Sequence, residues 1–137
     1  MKKRIWLFFF ILVIIAVSVY AWKEYNRKPL NLLHADAAEK LKAEELAAAF
    51  EADETIANKK YLGKIIEVEG IITNINTSQT PVHLILGNEN SMHNVGISLS
   101  GHNQNIANLK KGVPVTVRGE CTGFLIDVEL NNAVIIK

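Results

Sequence analysis

The sequence is poor in cysteine and has no excess of charge of either sign. Its 137 residues include a single cysteine, Cys121, which excludes an intramolecular disulfide and zinc sites built on pairs of cysteines. The 15 basic residues are almost balanced by 14 acidic residues, so the formal net charge is +1. A typical nucleic-acid-binding domain is strongly basic and an acidic tail is strongly negative, so this composition fits neither class.

Motifs for catalysis and metal binding are also missing. The sequence has no glycine-rich phosphate loop and no Ser-His-Asp pattern. Cys121 would need a nearby base to act as a nucleophile, and no histidine stands in a recognisable motif with it. His83, His93 and His102 lie farther apart in sequence than the tight spacing of a metal motif. We therefore expect no enzymatic activity, no cofactor and no metal ion.

A long apolar run lies near the N-terminus. Residues Ile5 to Trp22 carry no charge over 18 positions, and three basic residues, Lys2, Lys3 and Arg4, precede them. As an α-helix this run would be about 27 Å long, close to the roughly 30 Å hydrocarbon core of a bilayer. Residues 1–22 are therefore predicted to be a membrane anchor, with the lipid bilayer as the partner of Ile5–Trp22.

A cleaved signal sequence is the alternative for residues 1–22. Val19-Tyr20-Ala21 resembles a cleavage site, but the apolar run is longer than the roughly 7–15 residues of a signal-peptide core. A basic cluster at the start of a chain normally stays in the cytoplasm, although basic residues also follow this run closely. We expect a single-pass protein of the inner (cytoplasmic) membrane whose C-terminal domain lies outside the cytoplasm, in the periplasm.

The composition changes twice after the apolar run. Residues 23–35 are polar and contain Pro29, which predicts a linker. Residues 36–61 are rich in good helix formers, and Asp36 with Glu39 has the spacing of a capping box. The apolar stripe of this predicted amphipathic helix consists of Leu46, Ala49, Phe50, Ala57 and Tyr61. We expect it to pack on the following domain; a membrane-surface helix is the alternative, but an alanine-rich stripe would bind lipid weakly.

Residues 62–137 alternate between apolar and polar residues and are predicted to form a five-stranded barrel. The predicted strands are Lys64–Ile75, Val82–Gly87, Asn94–Ser100, Val113–Cys121 and Phe124–Leu130, with further strand at residues 133–137. Gly70 lies midway along the first strand, where a long barrel strand can bend or bulge. A short helix or turn is expected between the third and fourth strands. Three strands, a helical element and two strands is the order of the OB fold, although SH3-like barrels also have five short strands.

The stretch from Gly119 to Leu130 is predicted to be a corner of this barrel. Alternation places Cys121 on the core face of the fourth strand and Arg118 on the opposite, solvent-facing side. Thr122-Gly123 is predicted to be a tight turn. Beyond it, Ile126, Val128 and Leu130 are expected to face the core, and Asp127 and Glu129 the solvent.

Two groups of residues resemble those of a known family. The first group comprises Phe50, Asp53, Glu54, Ala57, Asn58, Tyr61, Leu62, Gly63, Lys64 and Gly70. The second group comprises Gly119, Cys121, Gly123, Asp127, Val128 and Leu130. In order and spacing, both groups resemble the tRNA_anti-like family of small exported or membrane-anchored bacterial proteins, of the Bacteroidetes type, which have an OB fold.

The resemblance covers residues 43–135 and implies an OB barrel. The residues it marks as structural are Tyr61, Gly63, Gly70, Gly119, Cys121, Gly123 and Asp127. Family members often carry further cysteines at positions that correspond here to Ile97 and Ala133. The resemblance therefore implies no disulfide and no thiol–metal role for this chain.

The predicted ligand surface is the outward face of the second and third strands, which OB folds use for binding. Its candidate residues are His83, Ile85, Asn94 and Ser98, with Gly96 between them. None is aromatic and none is Lys or Arg, whereas single-stranded nucleic acids are bound by aromatic platforms in a basic groove. We therefore predict a membrane-anchored extracytoplasmic OB-fold binding or interaction module for an oligosaccharide, a peptide or an envelope protein. The alternative is an OB-fold protein that binds tRNA-like or single-stranded nucleic acid.

Overall fold

The structure is a computed structural model that describes residues 2–25, 32–101 and 106–137. Within the first range, side chains are described for residues 10–22. The chain divides into two compact units, residues 1–30 and 31–137. His102 and much of the predicted linker 23–35 lie outside the described residues.

The first unit is helical. Helix α1 spans Lys2–Tyr25 and includes the apolar run. Its described side chains, from Phe10 to Trp22, are exposed. Within the described residues, no helix is both long enough and apolar enough to cross a membrane. The anchor at residues 1–22 stays a prediction.

The second unit is mainly β and contains a closed barrel. Its elements are β1 Glu39–Lys42, α2 Ala43–Ala52, α3 Glu54–Tyr61, β2 Ile65–Asn76, β3 His83–Leu86, β4 Val95–Leu99, a 3₁₀ helix Ile106–Asn108, β5 Pro114–Phe124 and β6 Val128–Ile135. The strand order is β1-β2-β3-β4-β6-β5, and a further β2–β5 pairing closes β2 to β6 into a barrel. In the barrel β4 and β6 pair in parallel, and the other neighbours are antiparallel. This arrangement confirms the predicted five-stranded OB barrel.

Alternating apolar side chains fill the barrel, as the sequence predicts. In β2 the side chains of Ile66, Val68 and Ile72 are fully buried, whereas Glu69 and Ile71 on the other face are exposed. The buried core also includes Leu84, Leu86, Val95, Ile97, Leu99, Val117, Leu130, Leu46, Phe50 and Tyr61. The last three belong to α2 and α3, so the two helices share one hydrophobic core with the barrel.

Gly70 allows α2 to approach β2 closely. A Cβ placed on Gly70 would lie 2.9 Å from Ala43 Cβ and 3.1 Å from Leu86 Cβ. Gly70 pairs regularly with Val115, and the irregularity in the pairing of β2 lies between Ile72 and Asn74, so β2 has no bulge at Gly70. The glycine instead leaves space for the helix.

We expect Gly70→Ala to lower the free energy of unfolding by about 1–3 kcal/mol, because the added methyl overlaps Ala43 and forces α2 away from the strand. Urea denaturation followed by circular dichroism measures this loss. Gly101→Ala is the matched control, since a Cβ there meets nothing within 4 Å. Equal losses from both variants would contradict a close approach at Gly70.

The predicted single helix over residues 36–61 is wrong. Residues Glu39–Lys42 form β1, which pairs in parallel with β2. Helix α2 begins after Lys42, whose backbone N–H donates to Glu45 Oε2 at 3.1 Å. Asp53 then interrupts the helical run, because its side chain accepts a hydrogen bond from the Ile56 N–H at 2.9 Å and caps α3. The predicted apolar stripe does pack on the barrel.

The last hairpin also differs from its prediction. The turn lies at residues 125–127, and Ile126 is 77% exposed instead of facing the core. Thr122-Gly123 lies inside β5, where the pairing with β6 shifts and Gly123 has φ +130°. This geometry is a β-bulge, which accommodates the residues that were predicted to turn. Val128 and Leu130 are buried as predicted.

Candidate ligand-binding groove

Three of the four predicted ligand-face residues lie together on β3 and β4. His83 pairs with Ser98, and Ile85 pairs with Gly96. Ser98 Oγ lies 3.2 Å from His83 Nδ1. His83 is exposed, and Ile85 and Ser98 are partly exposed. These three residues therefore share one face of the sheet, and their role in ligand binding stays a prediction.

Asn94, the fourth predicted residue, lies just before β4, and its polar groups are used in hydrogen bonds within the protein. Its Oδ1 accepts a hydrogen bond from the Asn88 N–H at 3.0 Å. Its own backbone N–H donates to Asp127 Oδ1 at 2.8 Å, and its carbonyl accepts from the Val128 N–H at 3.0 Å. Asn94 and Asp127 thus tie the β3–β4 loop to the β5–β6 turn, so Asn94 is a structural residue of this loop.

Glu129 joins the face from β6. It pairs with Gly96 across the parallel β4–β6 ladder. A Cβ on Gly96 would lie 2.7 Å from Glu129 Oε1, so the missing side chain leaves room for the carboxylate. Burial and the charge of Asp127 raise the pKa of Glu129, whereas His83 acts in the opposite direction. Alternation predicted only that Glu129 faces solvent. The glycine at position 96, in the middle of the predicted ligand face, was the signal that another side chain could lie against this strand.

A groove adjoins Glu129, between α3 and the β5–β6 hairpin. It has a volume of about 510 Å³. Its lining residues are Glu54, Asn58, Leu62, Thr122, Gly123, Phe124, Leu125, Glu129 and Asn131. The first three are four residues apart, which places them along one side of α3 and its C-cap. The lining contains two carboxylates and no Lys or Arg.

Hydrogen bonds hold the walls of this groove. Thr122 Oγ1 donates to the Glu129 carbonyl at 3.2 Å and accepts from Asn131 Nδ2 at 3.2 Å. On the helical wall, Asn58 Nδ2 donates to Glu54 Oε1 at 3.4 Å. Asn58 Oδ1 is buried and, within the described part of the chain, has no hydrogen-bond partner.

Exposed apolar side chains lie in the groove and on the loops next to it. Leu62 is 49% exposed, Leu125 88%, Ile126 77% and Met92 82%. His93, beside Met92, donates from Nδ1 to the Ile126 carbonyl at 2.8 Å and packs edge-on against Phe124. His93 thus joins the β3–β4 loop to the hairpin turn. Leu62, Leu125 and its neighbour Ile126 form what we call the apolar rim of the groove.

Several residues that carry the family resemblance join the walls of this groove to each other and to the core. The Gly63 N–H donates to the Cys121 carbonyl at 2.8 Å, and the Cys121 N–H donates to the Lys64 carbonyl at 3.0 Å. A Cβ on Gly119 would lie 3.0 Å from Ala133 Cβ. Tyr61 is part of the buried core. Gly63 and Lys64 thus join the end of α3 to β5, and Gly119 allows β5 and β6 to lie close together.

Cys121 is a core residue. Its side chain is fully buried. Burial raises the pKa of the Cys121 thiol, and a hydrogen bond with the Gly123 backbone opposes this effect only in part. A buried, protonated thiol is a poor nucleophile.

Comparison with known proteins agrees with this geometry. The sequence model of the tRNA_anti-like family matches residues 1–135. The chain belongs to the tRNA_anti-like family. The resemblance carried by the two groups of motif residues is thereby confirmed. In this chain, backbone hydrogen bonds join Gly63 and Lys64 of the first group to Cys121 of the second. No curated protein matches the chain at a significant level.

This tRNA_anti-like chain is also similar in fold to a solved structure. That structure is a lipoprotein of Klebsiella pneumoniae subsp. pneumoniae, provisionally named as nucleic acid-binding. The TM-score is 0.56 at 18% sequence identity, over 71% of this chain and 91% of the other. At this identity the similarity shows the fold alone.

Proposed function

We propose that this chain is a binding or interaction module, and not an enzyme, that a single N-terminal helix anchors in the inner membrane. Its OB barrel lies outside the cytoplasm. Its ligand surface is the face of His83, Ile85, Ser98 and Glu129, together with the groove beside it. The ligand is a peptide, a protein or an oligosaccharide of the cell envelope.

The charge of this surface is the observation that carries the proposal. Glu129 stands over Gly96 beside His83, and Glu54 faces the groove from α3. No Lys or Arg lies among the groove residues. Because nucleic-acid binding draws its affinity from neutralising phosphates with basic side chains, such a surface favours uncharged or cationic ligands.

Two observations support the membrane anchor. The run Ile5–Trp22 has the length of a bilayer-spanning helix and follows a basic cluster. Apolar side chains such as Phe10, Leu12, Val17 and Trp22 are exposed on α1, where burial in lipid would be favourable.

We expect alkaline phosphatase fused after Lys137 to be active and a green fluorescent protein at the same position to be dark, because phosphatase folds only outside the cytoplasm. Charge reversal of the basic cluster (Lys2→Glu, Lys3→Glu and Arg4→Glu together) should reduce phosphatase activity. The opposite pattern of fusions would place the barrel in the cytoplasm. The mass of the chain from washed membranes distinguishes an intact anchor, at 15.2 kDa, from a cleaved one.

Nucleic-acid binding is the second candidate function. It is supported by the provisional name of the Klebsiella lipoprotein, but that name applies to the Klebsiella protein and not to this chain. The strand face of His83, Ile85, Ser98 and Glu129 has no Phe, Tyr or Trp, and the groove beside it has one, Phe124. Neither set of residues contains Lys or Arg, whereas binding of single strands combines several aromatic platforms with a basic groove.

A further inference from the structure

We propose that the groove between α3 and the β5–β6 hairpin binds a short polypeptide segment of a partner protein that carries both basic and apolar side chains. This inference rests on the proposed function and narrows its ligand to one chemical class and one site. Three features of the groove support it: its charge, its apolar rim and its hydrogen-bonding walls.

The charge selects the occupant. Glu54 lies on the helical wall and Glu129 on the strand wall, without a basic residue among the lining. On α3, Lys60 is already placed 3.7 Å from Glu39 and over the Tyr61 ring. A second copy of this chain would bring the same carboxylates together, and an anionic lipid surface or nucleic acid would be repelled. A basic partner complements both walls.

The apolar rim requires apolar side chains from the same partner. Leu125 and Ile126 are adjacent on the hairpin turn and both are more than three-quarters exposed. Leu62 extends the surface onto the end of α3, where its Cδ1 approaches Gly123. Contiguous exposed apolar surface rimmed by polar residues is characteristic of interaction sites. A polyamine or a purely hydrophilic glycan would leave this rim uncovered.

The groove walls also offer hydrogen bonds suited to a polypeptide. Asn131 and Asn58 line opposite sides, and the buried Asn58 Oδ1 has no hydrogen-bond partner among the residues that the structure describes. An unpaired buried acceptor is costly, and a backbone N–H of a bound segment would satisfy it after a small rotation of the side chain. A peptide backbone supplies such donors at every residue except proline.

The test is an NMR titration of the 15N-labelled full-length chain in an uncharged detergent. The probes are three short synthetic peptides of equal length, with alternating Lys and Leu, Glu and Leu, or Lys and Ser. We expect saturable shifts of the amide signals of Asn58, Thr122, Leu125 and Glu129 with the Lys/Leu peptide alone. Signals from α1 report any insertion of peptide into the micelle.

Two paired variants test the two halves of the recognition. Glu54→Gln with Glu129→Gln is expected to weaken binding of the Lys/Leu peptide about fivefold, because two ion pairs in an open groove are lost. Leu125→Ser with Ile126→Ser is expected to weaken it by about tenfold or more. The matched controls are Glu69→Gln and Ile71→Ser, exposed β2 residues outside the groove, which should leave binding unchanged.

Three results would overturn this inference: binding of the Glu/Leu peptide at equal strength, equal effects of the control variants, or no saturable shift in the groove. Shifts confined to His83, Ile85 and Ser98 would overturn the groove site while leaving the proposed binding module intact. The fusion reporters after Lys137 test the proposed location independently, because their outcome does not depend on what fills the groove.

Discussion

Replacing Arg118 by methionine is expected to lower the free energy of unfolding by about 2–4 kcal/mol, between the costs of breaking an exposed and a fully buried ion pair. The substitution removes the main partner of a partly buried carboxylate, Glu67. Arg118 Nη2 donates to Glu67 Oε2 at 2.7 Å, and its Nε donates to the same oxygen at 3.2 Å. The two side chains are only 12% and 13% exposed. Glu67 would keep one other cation, the largely exposed Lys40 at 3.2 Å.

Arg118 also forms hydrogen bonds with the backbone at the start of the second unit. Its Nη1 donates to the carbonyls of Leu32, Leu33 and Ala35 at 3.0, 3.2 and 2.6 Å. Loss of the guanidinium would leave these three carbonyls without that donor and would release the segment before β1. Hydrogen exchange of residues 32–42 should therefore accelerate more than exchange in β6.

Lys111→Met is the matched control for Arg118→Met. Lys111 pairs with Glu89 at 2.6 Å, but both side chains are more than half exposed. An exposed pair contributes about 0–1 kcal/mol, so the control should unfold almost like the wild type. Similar losses from both variants would contradict the buried role of Arg118.

The pH dependence of stability provides a second measurement of this ion pair. The hydrogen bond from Arg118 lowers the pKa of Glu67, with a smaller contribution from Lys40. A carboxyl with a lowered folded pKa stabilises the fold above its unfolded pKa of roughly 4.3, and this contribution is lost as the pH falls through the folded value. Urea denaturation should show a shallower loss of stability below pH 5 in Arg118→Met than in the wild type.

Replacing Phe50 by alanine is expected to cost about 3–5 kcal/mol of unfolding free energy, because it leaves a cavity where the helices meet the barrel. Phe50 is 1% exposed. Its ring lies 6.0 Å from that of Tyr61 and 5.7 Å from that of Phe124, measured between centroids. The substitution therefore removes contacts with both walls of the groove.

Urea denaturation monitored by far-ultraviolet circular dichroism measures the Phe50 effect. Tryptophan fluorescence would not, since Trp6 and Trp22 both lie in the α1 segment. Ile56→Ala is the control, because Ile56 lies on α3 but is 64% exposed, and it should change stability by no more than about 0.5 kcal/mol. A Phe50→Ala variant as stable as this control would show that α2 does not pack on the barrel.

The strands of the barrel could be predicted because each has one buried face. Ile66, Val68 and Ile72 recur with period two and are all buried. The same rule failed at Ile126, which is in phase with Val128 and Leu130 but lies in a turn. That turn is held by His93 and Asp127 through contacts 33 residues apart in the chain, and such contacts leave no local pattern.

The candidate site was predicted only in part, for the same reason. His83, Ile85 and Ser98 lie on paired strands, so alternation alone brought them together. Glu129 and Glu54 lie on different walls of one groove. The width of this groove depends on how α3 packs, and the periodicity of the sequence does not specify that packing. Alternation predicted that Arg118 faces solvent. In the structure residues 32–35 lie against it, and the strand pattern gives no sign of a contact with residues so distant in the chain.

The most direct test of the central claim compares two labelled probes on the same sample. Fluorescence anisotropy of the full-length chain in uncharged detergent is measured at low salt with a single-stranded oligothymidine and with the Lys/Leu peptide. We predict saturable binding of the peptide and none of the oligonucleotide, even at low salt, where electrostatic binding to phosphates is strongest. Saturable oligonucleotide binding that weakens steeply with added salt, without peptide binding, would contradict an acidic polypeptide-binding module.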